Sequence, residues 1–198
     1  MKTAARFIAI LIAFLPGVAL ADDPSYTGGS APYSGFQTRA IKNLSANDIV
    51  EIRRGGGLGL AFPAELSGRP DPAHLLERHD EIGLSLAQIA RIETNYADMR
   101  ADAIDVGERF IAAEAALSAA FESPSVEAAR LQELIDTAAA SRAALRFVHL
   151  SRDLATAKIL QAAQVQRYSV LRGYTDDPCS TAPNGHDVEL WRQHNGCG

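Results

Sequence analysis

Residues 86–121 read LAQIARIETNYADMRADAIDVGERFIAAEAALSAAF. Within them Ile89, Ile92, Tyr96, Met99, Ala103, Val106, Phe110, Ala113, Leu117 and Ala120 follow one another at steps of three and four without a slip. Side chains three and four apart share one face of a helix, so the spacing predicts a long helix with a heptad seam buried against another helix. At 1.5 Å per residue its length is about 54 Å. Ser85 stands where an N-cap is needed, and Gln88 can reach back to the amide of that cap, a capping box.

On the C-terminal side, Glu122-Ser123-Pro124-Ser125 breaks the pattern. Ser123 suits a cap and Pro124 a first helical position, which starts a second long helix running to about Leu160. Its apolar set is Leu131, Leu134, Ile135, Ala138, Leu145, Val148, Leu150, Leu154 and Ala157, and it drifts around the cylinder. Two helices of matching length joined by a tight turn pack antiparallel. A last helix, about residues 162–172, places Val165, Tyr168 and Leu171 on one side. The expected fold is therefore all-α: a long antiparallel helical hairpin with short flanking helices. A hairpin buries only one of its sides against itself. Short helices or a second copy of the chain must cover part of the other, and a homodimer is expected with its shared face left open.

On the N-terminal side the elements are shorter. Ser45 and Asp48 form a capping pair for a helix over residues 46–54, which stops at Gly55-Gly56-Gly57. These glycines are not a phosphate loop: no Gly-Lys-Ser/Thr follows them and no buried strand precedes them. Pro72 suits the first position of a short helix in PAHLLERHDEI, residues 72–82.

Residues 22–37, DDPSYTGGSAPYSGFQ, show no period and read as part of a flexible leader over 22–44. Before it, Lys2 and Arg6, an apolar run from Phe7 to Leu15, and Ala19-Leu20-Ala21 make the pattern of a secretory signal peptide, residues 1–21. The apolar run is shorter than the roughly 20 residues that span a bilayer, so no integral membrane segment is expected after cleavage. Loss of the two cations Lys2 and Arg6 takes the formal charge from −5 to −7. No basic cluster longer than Arg53-Arg54 remains, which argues against a nucleic-acid partner. Cys179 and Cys197 both lie in the tail, residues 175–198, and in an exported chain are expected to pair. Such a loop restricts the unfolded chain by about 3 kcal/mol in the entropy model. The organisation is thus signal peptide 1–21, leader 22–44, short helices and Gly/Pro-rich loops 45–84, hairpin domain 85–174 and tail 175–198.

Taken together, the signal peptide, the Leu84-Ser85-x-x-Gln88 start, the hairpin and a later LxxxQxxRYxxLRGY phrase from Leu160 and Gln164 to Tyr174 resemble the Spy/CpxP group of bacterial periplasmic proteins. That group is named for two Leu-Thr-x-x-Gln motifs and includes the zinc-associated ZraP and the metal sensor CnrX. The resemblance covers roughly residues 74–174. Ser85 replaces Thr in the first motif. In the second, Gln161 stands at the capping position, so the second long helix is expected to run into the last with only a bend.

The resemblance implies a periplasmic, ATP-independent chaperone or envelope-stress protein that holds unfolded or misfolded envelope proteins on a helical surface, with no cofactor required. Arg91, Arg100, Arg109, Arg130, Arg142, Arg146 and Arg152 alternate with acids along the helices, although each charge singly reads as a solvated surface residue. The alternative is a periplasmic heavy-metal sensor or metal-binding resistance protein of the CnrX/ZraP type. There the resemblance maps one ligand onto His79, five residues before Leu84, and another onto His149 in FVHLSRDL. A further histidine position falls on Leu75, with His74 one place away. The carboxylate position falls on Tyr96, with Glu93 and Asp98 nearby. Asp153, one turn after His149, replaces a thioether ligand. It shifts the preference within zinc, cobalt, nickel or copper toward harder ions such as zinc or cobalt. The plainer reading leaves Asp153 paired with His149 or an arginine, and His79 in solvent. No phrase resembles a nucleophile elbow, a zincin helix or a haem attachment site, so the chain is read as a non-enzyme.

Overall fold

The computed structural model describes residues 31–180, 182–195 and 197. The expected signal peptide and the first part of the leader lie outside the described residues. The chain divides into two units, 1–34 and 35–198. In the first, the described residues form a turn closed by the Ser34 amide donating to the Ala31 carbonyl (2.8 Å). The second is all-α. Its described residues form α1 (Ala46–Arg53), α2 (Phe62–Glu65), α3 (Pro72–Glu77), α4 (His79–Ile82), α5 (Leu86–Ala120), α6 (Ala128–Ala157), α7 (Ala162–Leu171) and α8 (Val188–His194), with no strand. None of these helices is long and apolar enough to cross a membrane.

The α5–α6 pair is the hairpin. Ser85 caps α5 through the full box with Gln88, and every seam position from Ile89 to Ala120 is buried or half-buried. Phe110 belongs to the larger apolar cluster, with Ile41, Leu44, Ile52, Leu60, Ala103, Val106, Ile111 and Leu145. The α1 helix, capped by Ser45 and Asp48 as expected, supplies Ile52 to it. It approaches α5 closely because of Gly107: a Cβ there would sit 2.4 Å from Ile52 Cγ2. Ile41 and Leu44 belong to this cluster, so the leader expected to run to residue 44 is anchored to the core before that point.

Several boundaries differ from those read in the sequence. α6 begins at Ala128, not Pro124: Ser123 Oγ donates within the turn to the Ser125 carbonyl (3.3 Å), and Glu127 is still extended. The helix over 72–82 splits at Arg78, whose backbone (φ −127°, ψ 24°) separates α3 from α4. α6 does not bend into α7. It stops at Ala157, and Gln161 is extended (ψ 155°) before α7 begins. The tail carries a helix that periodicity does not reveal, α8, capped by Asp187. Cys179 and Cys197 are bridged there as expected, with Cα atoms 5.5 Å apart.

The two glutamine motifs meet at the open end of the hairpin. Gln88 Nε2 donates to Gln164 Oε1 (2.8 Å) and Gln164 Nε2 donates to Gln88 Oε1 (3.1 Å), a reciprocal amide pair. The same two amides also donate to the Ile159 and Gly83 carbonyls, 2.9 and 3.0 Å away. Each glutamine thus satisfies backbone groups freed at a helix break and holds the other break in place. Leu84 and Leu160 pack beside the clasp on a second apolar cluster of Leu75, Ile82, Ile92 and Tyr168.

Candidate functional site

The buried stripe of α6 runs through Leu134, Ala138, Leu145, His149, Asp153 and Thr156. Its last three members are polar, which is why a purely apolar reading of this helix drifts. Thr156 is satisfied: its hydroxyl accepts from Asn95 Nδ2 (2.7 Å) and donates to the Arg152 carbonyl (2.9 Å). His149 and Asp153 differ from it. They are 3 % and 0 % exposed, yet His149 Nε2 and both Asp153 carboxylate oxygens have no hydrogen-bond partner in the protein.

Both side chains line a cavity of about 1050 Å³ between the α5–α6 hairpin and the glycine-rich stretch that follows α1. Tyr96 and Met99 of α5, Glu65 of α2, Asp71 and His74 at the start of α3, and Arg172 and Tyr174 after α7 share this lining. The glycines have a packing role. A Cβ on Gly57 would lie 2.9 Å from the His149 ring, so only glycine lets this backbone rest against the imidazole.

In the same cavity the Glu65 carboxylate is fully engaged. Oε1 accepts from Tyr168 and from the Tyr174 hydroxyl (3.0 Å) and lies 3.3 Å from His74 Nδ1. Oε2 accepts from the Asp71 amide (2.9 Å), and Arg172 is 3.7 Å away. Burial alone would raise the Glu65 pKa, but bonds from His74, Tyr168, Asp71 and Tyr174 hold it at about 2. Glu65 in turn raises that of His74. Asp153 moves the other way. Burial, reinforced by the negative charges of Asp71 and Glu65, pushes it up to about 8. Burial also holds the His149 imidazole below its ordinary value, against the pull of Asp71, Glu51 and a backbone hydrogen bond with Gly56.

The fold therefore brings His74, His149 and Asp153 to one cavity and leaves His79 out of it. His79 follows the Arg78 break and contacts its neighbour Asp80 (3.1 Å). Asp98 is also elsewhere, paired with Arg152 (3.3 Å), while Tyr96 at the expected carboxylate position does line the cavity. Glu65, Arg172 and Tyr174 are site residues that sequence reasoning did not assign. The one signal was the RYxxLRGY phrase, which supplies Tyr168, Arg172 and Tyr174. Among the described residues no three His, Cys, Asp or Glu side chains converge tightly enough to form a ready-made metal cage. No family model, curated protein or solved structure matches the chain.

Proposed function

We propose that this is an exported cation-binding protein in which His149 and Asp153 hold a divalent transition metal, the metal-sensing side of the resemblance to the Spy/CpxP group. One observation carries the reading: a buried carboxylate and a buried imidazole, one helical turn apart, face a cavity with their acceptor atoms unpartnered. Buried polar groups in native proteins are nearly always satisfied, so this pair takes its partners from the cavity, and a cation that accepts their lone pairs fits both donors at once. Imidazole nitrogen with carboxylate oxygen suits zinc, cobalt, nickel or copper. With two protein donors, the other coordination positions fall to water or to a second ligand in the cavity. A bound cation would favour the ionised form of Asp153, so binding would release the proton that burial keeps there.

The test is a titration of the metal-free mature chain with Co2+ and Zn2+, following cobalt absorption and heat. Tight binding that disappears in a His149→Ala/Asp153→Asn variant, and survives His79→Ala, is the expected result. Equal binding by the double variant would overturn the assignment. Holding of non-native polypeptides is the second reading, favoured by the exposed Phe62, Leu66, Leu86 and Phe121. Under that reading, metal-free protein and the double variant suppress client aggregation equally.

A further inference from the structure

The cavity beside His149 and Asp153 holds more than a cation needs. It encloses about 1050 Å³, whereas an ion with its remaining waters fills less than about 200 Å³ at roughly 30 Å³ per water. Its volume is that of a site for a small organic molecule. A second group in the lining is also left without a partner, and it is a donor. Arg172 Nε is buried and makes no hydrogen bond in the protein. The nearest carboxylate oxygen, Glu65 Oε1, is 3.7 Å away, beyond hydrogen-bond reach, and already accepts from Tyr168 and Tyr174. A metal ion satisfies the lone pairs of His149 and Asp153 but does nothing for an N–H. Two further guanidinium groups line the same cavity, those of Arg54 and Arg100, and neither forms an ion pair among the described residues.

We propose that the cation occupies this cavity as a complex with a small polycarboxylate, whose outer carboxylates are held by Arg172, Arg100 and Arg54. The proposal rests on the reading of His149 and Asp153 as metal donors and names the second ligand of that site. With two donors from the protein, a four-coordinate ion has positions left for a carboxylate of the bound molecule. A planar guanidinium pairs with the carboxylates that remain, two N–H groups to two oxygens. A polycarboxylate has separate groups for these two tasks, which a compact anion such as phosphate lacks. The charges of the lining point the same way. A polycarboxylate without a cation faces Glu51, Glu65, Asp71 and Glu77, and a bare cation faces the three arginines. The complex of the two suits both sets, so each component strengthens the binding of the other. Three of those four acids are already held by backbone amides, Glu51 by Leu58 (3.0 Å), Glu65 by Asp71 (2.9 Å) and Asp71 by Ala73 (2.7 Å). They shape the cavity and leave the arginines to take the anion.

The test is equilibrium dialysis of labelled citrate against the full mature chain, with and without an equal concentration of Co2+. About one citrate per chain should be retained with Co2+, and retention should be about tenfold weaker without it. Arg54→Gln/Arg100→Gln should weaken citrate retention about tenfold and leave the binding of Co2+ alone in place. Both residues are exposed, so the helical circular dichroism of this variant should be unchanged. Arg172→Lys keeps the charge beside Glu65 but removes Nε, and should weaken citrate retention likewise. His149→Ala/Asp153→Asn should lose both ligands. Co2+ bound with no citrate retained overturns this proposal and leaves the metal site standing. Absence of Co2+ binding in wild type overturns the metal reading itself and this proposal with it. Citrate retained equally without Co2+, citrate retained in full by the arginine variants, or phosphate retained in place of citrate would each overturn the polycarboxylate complex.

Discussion

The two halves of the α5–α6 hairpin are built on opposite principles. Toward the closed turn, α6 contributes Leu134, Ala138 and Leu145 to a seam whose other side holds Val106, Phe110 and Ala113. Toward the open end the same stripe continues as His149, Asp153 and Thr156, beside a cavity and the Glu65 network. Apolar burial contributes about 25 cal/mol per Å² and asks nothing of geometry beyond close packing. A buried carboxylate without a partner costs free energy, and the fold carries that cost only because the apolar half supplies enough stability. The inner face of α6 is apolar in one half and polar in the other, while Leu75, Ile82, Ile92 and Tyr168 supply apolar packing at the open end. The contrast is between Phe110 and Asp153, positions on facing helices that are both buried.

Substitutions should separate the halves. Phe110→Ala, in the apolar half, is expected to cost about 3–5 kcal/mol by chemical denaturation. A cost below about 1 kcal/mol would mean that the seam is not the main source of stability. Glu65→Gln keeps the shape but loses the charge that four donors converge on, and is expected to cost about 2–3 kcal/mol at neutral pH. The folded pKa of Glu65 is depressed from 4.5 to about 2, so its stabilisation is complete above 4.5 and is lost as pH falls through 2. Wild type should therefore lose stability in that window, and the Gln variant should lose less of it.

Asp153 gives the reverse sign. Its folded pKa is raised from 3.8 to about 8, so the metal-free fold is unpenalised below 3.8 and loses stability as pH rises through 8. Asp153→Asn should remove that slope and stabilise the metal-free protein by about 1–3 kcal/mol above pH 8. A variant less stable than wild type there would show that Asp153 has a protein partner after all. Removing the tail bridge with Cys179→Ser and Cys197→Ser should change the melting of the hairpin least, because the loop it closes lies outside both apolar clusters.

The same contrast explains what could be read from the sequence. α5 is legible because its seam is apolar at each step, and its cap is legible because Ser85 and Gln88 stand at the spacing a capping box needs. α6 is legible as a helix, but its inner face is not. Hydrophobic periodicity counts His149, Asp153 and Thr156 as surface, and counts Ile135 and Leu154 as core although they are exposed. His149 and Asp153 come from the resemblance to a family motif. His79 comes from the same source and falls outside the cavity, because a break at Arg78 carries no sequence signal. Glu65 sits in a four-residue helix with no period, and its burial depends on Tyr168 and Tyr174, more than a hundred residues later. The pairing of Gln88 with Gln164 is likewise a long-range fact. Each glutamine reads locally as a cap, and only the fold shows that they cap one another.

The central claim is that the polar half of the hairpin is a cation site, and proton release tests it most directly. Zn2+ should be titrated calorimetrically into the metal-free chain at pH 7 in buffers of different ionisation enthalpy. Asp153, with a folded pKa of about 8, is protonated there, and His149, held low, is neutral. The expected result is saturable binding that releases about one proton, with both the binding and the release absent in His149→Ala/Asp153→Asn. Binding without proton release, or binding that the double variant retains, would contradict the account.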